Sequence, residues 1–236
     1  AARAMKRGHF KTIGVVYRSL HPVGNRKALE GITRAASERG YSVLLIPVGG
    51  DPAQDGVPLA QSSIDVAIVL VSTSLGGGAE DVDPSLNVPT VVLSSAGPPH
   101  ASSVSIDDAL GAGEVVRHLL ALGHPTVHHV AGPERSLPAG NRERAWRAAL
   151  VEAGRPVPGV VRGDWTPESG YEATRELLAT ERPTALFVAN DQMALGAYRA
   201  LREAGLRIPE DVSVVGCDDI DEAPAFAPPL TTVVMD

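Results

Sequence analysis

"TALFVANDQMALGAYRALREAGLRIPEDVSVVGCDD" (184–219) reads as a strand, a helix and a second strand. "TALFVAN" (184–190) is a short apolar run of strand length. It stops at Asn190 and Asp191, and "DQMALGAYRALREAG" (191–205) continues with helical periodicity up to Gly205. "DVSVVGCDD" (211–219) is apolar again. Such a unit demands a crossover between parallel strands, so it fixes the class as α/β. Two polar side chains at its first junction have two explanations. Asn and Asp are good helix caps, and strand ends are where parallel sheets bind ligands.

The same rhythm runs outward in both directions. Strands are expected at "KTIGVVY" (11–17), "YSVLLIPV" (41–48), "IDVAIVLVS" (64–72), "VPTVVLSS" (88–95), "TVHHVAG" (126–132) and "GVVRGD" (159–164). Helices are expected at 26–40, at 107–124 with Asp107 or Asp108 as cap, at 141–154, and at 166–179 with Thr166 as cap and Pro167 at its first position. The Gly- and Pro-rich stretch 49–63 has no clear helical period. About four strands fall in each half, which fits two doubly wound parallel-sheet lobes better than one large sheet. The expected division is 11–124 and 125–236.

The chain has 236 residues with 44% hydrophobic and only 4% aromatic content, so a core can be buried and any aromatic near a cleft is informative. The formal charge is −7, which argues against nucleic-acid binding by this body. Residues 1–11 nevertheless hold Arg3, Lys6, Arg7 and Lys11 with no acid, a short basic arm. Cys217 is the single cysteine, so an intrachain disulfide is ruled out and a reducing cytoplasm is expected. No apolar run reaches membrane-spanning length, and "AARAMKRGHF" has no secretory core.

The ends of the strands in the second half present Trp165, Asn190, and Asp218 with Asp219; Arg142 lies where a helix begins after "VHHVAG". An aromatic face, a carboxamide, a carboxylate and a guanidinium could hold a polar small molecule by stacking and fixed hydrogen bonds. Each also has an ordinary role. Asn190 or Asp191 could cap, Asp219 could bond local backbone, and Trp165 could pack beneath a loop. Arg142, beside Glu143 and Arg144, could belong to a solvated face. Their coincidence at one end of successive strands favours binding. Other chemistries lack their signatures: there is no G-x-G-x-x-G, no G-x-S-x-G and no H-E-x-x-H, and "LGGGAE" (75–80) reads as a loop. No enzyme activity, cofactor or metal is expected. Cys217 beside Asp218 is expected to be a buried, inert thiol.

The block 184–236 resembles the effector-binding core of LacI/GalR bacterial transcriptional regulators. "IGVVY", "LEGITRAASERGYSVLL", "VRHLLALGH", "VAGP" and "GDWTPESGYEATRELL" extend the likeness over nearly the whole chain. The resemblance implies two periplasmic-binding-protein-like lobes of type I, a homodimer, and a small-molecule effector, sugar-like, held in the cleft between the lobes. It implies operator DNA as a partner only through a helix-turn-helix headpiece that this sequence lacks. Residues 1–10 then resemble the end of the hinge, and the chain stops at "TTVVMD" before the expected return to the first lobe. Carried over residue by residue, the effector contacts fall on Arg142, Trp165, Asn190 and Asp218, with Ser19 and Ser72 as first-lobe candidates, and Asp191 becomes the helix cap. "SLHPVGNR" (19–26) lacks the family's usual aromatic, and Cys217 stands where an aromatic is common. The alternative is a solute-binding protein of a sugar importer, which an upstream secretion signal would identify.

Overall fold

Short apolar runs bounded by caps and glycines build two parallel sheets. The structure is a computed structural model, and it describes residues 9–17, 19–20, 23–48, 63–70, 88–94 and 102–235. The chain divides into two units, Ala1–Ser105 and Ile106–Asp236.

The first unit contains β1 (Thr12–Tyr17), α1 (Val23–Glu38), β2 (Ser42–Pro47), β3 (Val66–Leu70), β4 (Thr90–Leu93) and β5 (Ser102–Val104). Its sheet runs β2-β1-β3-β4-β5, all parallel. Val16, Ile46, Ile64, Ala67 and Val69 form its core. The sequence does not announce β5: it has three residues, all exposed, and no apolar run. The helix expected at 26–40 begins earlier, at Val23. The basic residues 1–8 and the loop 75–80 lie outside the described residues.

The second unit contains α2 (Asp108–Ala121), β6 (His128–Ala131), α3 (Leu137–Glu152), β7 (Val160–Arg162), α4 (Pro167–Thr180), β8 (Ala185–Val188), α5 (Asp191–Glu203) and β9 (Ser213–Val215). A single 3-10 turn, Ala223–Ala225, comes next. The parallel sheet runs β7-β6-β8-β9, and Thr231 adds a parallel bridge beside Val215. Helices cover both faces of such a sheet, so its central strands are buried on both sides, although β6 carries His128 and His129. Every residue of β6 and β8 is buried. Trp146, Leu150, Val116, Leu119 and Phe187 share one core. Burying each of the aliphatic and phenyl side chains contributes ~1.5–3 kcal/mol. The Trp146 indole N–H, which could not be left unpaired there, donates to the Val127 carbonyl at 2.8 Å.

Two sequence expectations are corrected by the packing. The helix expected at 107–124 as the last element of the first lobe is α2 of the second unit, so the units divide at 105/106 and not at 124/125. The reason is its apolar face: Val115, Val116 and Leu119 pack with Trp146 and Leu150 on α3. The helix expected from Asn141 starts one turn sooner, because Ser136 accepts from the Ala139 N–H and Pro138 suits a first turn. Arg142 therefore projects from within a helix. The Thr166 cap with Pro167 behind it matches the sequence reading. Among the described residues, no helix is long and apolar enough to cross a membrane.

Candidate functional site

The strand order of the second sheet reverses between β6 and β8. That is the switch point where an open parallel sheet leaves a crevice beyond its carboxyl ends. Four of the six residues singled out in the sequence meet there.

Arg142 is buried. Its Nε and Nη2 both reach Asp108 Oδ1, at 3.0 and 2.9 Å, and Nη1 donates to the Ala189 carbonyl just past β8. Nη2 also lies 3.6 Å from Asp218 Oδ1. The guanidinium carbon sits 5.7 Å from the centre of the Trp165 ring, within cation–π range. The solvated face that Arg142 could have joined is thus not its place; Arg162 instead pairs with Glu143 at 2.7 Å.

Trp165 is half-buried and has a φ of +79°, strained for a bulky L residue. Its ring lies against Gly132, the first residue after β6. A Cβ on Gly132 would come within 2.6 Å of Trp165 Cζ2, so only glycine leaves room for the ring. Asn190 holds the tryptophan from the other side: its Nδ2 donates to the Trp165 carbonyl at 3.2 Å. Asp218 and Asp219 come after β9 with φ of +121° and +50°. Their backbone N–H groups are tied to the segment beyond, Asp218 to the Val233 carbonyl and Asp219 to Thr232 Oγ1.

At the junction the expected cap is corrected. Asn190, not Asp191, is the cap of α5, its Oδ1 accepting from the Met193 N–H at 2.9 Å. Asp191 is fully buried and serves as an internal anchor. Its carboxylate accepts from Thr232 Oγ1 at 2.6 Å and from the Ile220 N–H at 3.0 Å. Burial pulls its pKa upward against those bonds. A carboxamide has two donor hydrogens and two acceptor lone pairs, so the cap and the bond to Trp165 leave Asn190 one of each for a further partner.

Cys217 is buried with its sulfur 3.6 Å from that of Met235. Burial pushes its thiol up to about 12, with Asp218, Asp108 and Asp191 adding to a rise that Arg142 opposes. A thiol so protonated is a poor nucleophile. Among the described residues, no group of acidic, His and Cys side chains could hold a metal ion. The chemistry on offer is recognition: one aromatic face, one carboxamide, one guanidinium and one carboxylate.

Ser19 belongs to the first unit, where its carbonyl accepts from Asn25 Nδ2 at 2.8 Å; Ser72 lies outside the described residues. Asp108 and Gly132 are site residues that the sequence reading missed. Asp107 alone caps α2, through Leu110 N–H at 2.9 Å, so the doubled acid at that helix start was the available signal.

Comparison with known proteins agrees with the fold. The periplasmic binding protein-like domain family matches residues 116–236. The chain is 33% identical to the ribose operon repressor of Escherichia coli K12 over 239 residues, covering 98% of this chain and 72% of that protein. It is also 33% identical to the HTH-type transcriptional repressor PurR of Klebsiella pneumoniae, covering 98% and 70%. Among solved structures, the Lac repressor dimer bound to operator and an anti-inducer superposes with a TM-score of 0.87 at 31% identity, over 100% of this chain and 84% of that one. A complex of the transcriptional regulator CelR with cellobiose superposes with a TM-score of 0.84 at 30% identity, over 99% and 77%.

Proposed function

This chain belongs to the LacI family of transcriptional repressors and corresponds to the effector-binding core of such a regulator, and from that premise we propose that its effector is an uncharged, hydroxyl-rich molecule, a sugar. One observation carries the reading: the buried Arg142 guanidinium lies beneath Trp165 and within 3.6 Å of Asp218. A carboxylate accepts hydroxyl hydrogen bonds and repels anions. A tryptophan face covers the apolar face of a sugar ring, and Asn190 suits a pair of neighbouring hydroxyls. The relatives include a ribose operon repressor and a regulator bound to cellobiose, which supports a sugar. They are repressors and regulators, which does not favour the importer reading.

In this reading the regulator works in the cytoplasm as a homodimer, and effector occupancy alters how the full-length protein holds operator DNA. The domain assignment of residues 1–10 to a hinge belongs to the same proposal. The test is a thermal-shift screen against monosaccharides, disaccharides, sugar phosphates, nucleosides and purines. At 100 times its dissociation constant a ligand adds about 2.7 kcal/mol of stability, or roughly 5–10 °C for a chain of this size. A neutral sugar is expected to rank first. A purine or a sugar phosphate in that position overturns the assignment.

A further inference from the structure

Arginine at a ligand site normally invites an anion. Here the fold has already answered it. Asp108 takes both Nε and Nη2 of Arg142 through one oxygen, and Ala189 takes Nη1. Of five guanidinium hydrogens, the two left over are one on Nη1 and one on Nη2, and the latter faces Asp218. The cluster of Arg142, Asp108 and Asp218 therefore carries one formal positive and two formal negative charges, all three side chains being buried or nearly so.

We propose that Asp108 is the specificity-determining residue of this site: as the built-in counter-ion of Arg142 it balances the guanidinium charge while leaving N–H groups free to donate, so that polyols bind and phosphate or carboxylate groups are refused. The inference rests on the effector-site reading given above. A second observation separates this role from a merely structural one. Asp108 Oδ2 is buried and has no hydrogen-bond partner among the described residues. A carboxylate kept only to brace a helix end would be expected to use both oxygens, because a buried acceptor without a partner costs stability. Asp107 already caps α2, so the helix does not need Asp108 for that purpose. Asp108 is a positioning and charge-setting residue; it acts on ligand through Arg142.

Asp108→Asn keeps the shape and one acceptor for Arg142 while removing the charge. The probes are inorganic sulfate, inorganic phosphate and the neutral sugar that ranks first in the thermal-shift screen, titrated into this chain by calorimetry. Wild type is expected to show no measurable heat with either anion, and Asp108→Asn to bind sulfate and phosphate at least ~10-fold more tightly than the weakest wild-type binding the titration could detect, the lower end of the ~10- to 150-fold range of one charge-assisted hydrogen bond. The neutral sugar should change far less, so the sugar-to-anion ratio moves. Adding Arg142→Gln to Asp108→Asn should abolish the gain. An unchanged ratio in Asp108→Asn, or a gain that survives loss of the guanidinium, overturns the proposal. So does sulfate binding to wild type, a measurement that stands even if the variant fails to fold. Absence of any sugar binding by wild type would count against the effector reading instead, while sulfate binding confined to Asp108→Asn would still establish the counter-ion.

Discussion

Trp165 shows what a single residue gives up to serve a site. Its φ of +79° is a conformation worth about 1–3 kcal/mol of strain in a bulky residue, and it is held by Asn190 at its carbonyl and by Gly132 beneath its ring. Gly132→Ala should displace the ring and weaken effector binding while leaving the sheet intact. Loss of affinity by calorimetry with an unchanged circular dichroism spectrum is expected; full affinity would show that the ring does not need that seat. His129 makes a separate, pH-dependent prediction. Burial lowers its pKa from 6.5 to about 4, against the pull of the Phe187 carbonyl. That carbonyl can only accept, so Nδ1 carries the proton and the ring is neutral in the core. Below pH 6.5 the unfolded chain takes up a proton that the folded chain refuses until about pH 4. The stability from the neutral ring is thus present above pH 6.5 and declines across that window by ~3 kcal/mol in total. His129→Gln should flatten the slope of stability against pH in urea melts between pH 4 and 6.5, and an unchanged slope would refute the assignment. At this scale residue types at strand ends pointed to Trp165, Asn190 and Asp218, and a helix start after β6 pointed to Arg142, as candidates that the structure brings together. The sequence could not rank Asn190 against Asp191, or Asp107 against Asp108. Cap, anchor and counter-ion use the same side chains, and only three-dimensional neighbours tell them apart.

Among the elements, α4 and α5 set the tightest tolerance. They cross where Gly170 meets the Met193 backbone and Gly196 meets Pro167 and Tyr171, a Cβ on Gly196 falling 2.5 Å from the Tyr171 nitrogen. Both helices end the loops that hold Trp165 and Asn190, so this crossing fixes the spacing of the site. Alanine is the better helix former by about 1 kcal/mol, yet overpacking against backbone costs about 1–3 kcal/mol. Gly196→Ala should lower the melting temperature by a few degrees; a rise would mean that the helices can part without penalty. Helix periodicity and caps are readable because they are local. The start of α3 is hidden because "SLPAG" looks like a loop until Ser136 is seen to cap it. The allegiance of α2 is hidden for a different reason: an amphipathic pattern says that a face is buried, not which sheet buries it.

For the whole molecule, two parallel sheets and a formal charge of −7 describe a body that recognises something small. The parallel sheets could be inferred from the alternation of strands and helices, and the strand reversal at β6 and β8 accounts for where the site lies. The proposed homodimer predicts that the full-length regulator sediments as a dimer at micromolar concentration, and a monomer there would contradict it. The central claim is that a neutral sugar is held by Asp218 and its neighbours at that reversal. Titration calorimetry of the neutral sugar ranked first in the screen, into wild type and into Asp218→Ala, tests it most directly. Losing a charge-assisted hydrogen bond should cost about 1.5–3 kcal/mol, or roughly 10- to 150-fold in affinity. That loss is the predicted result, and equal affinity in the two proteins would contradict the account.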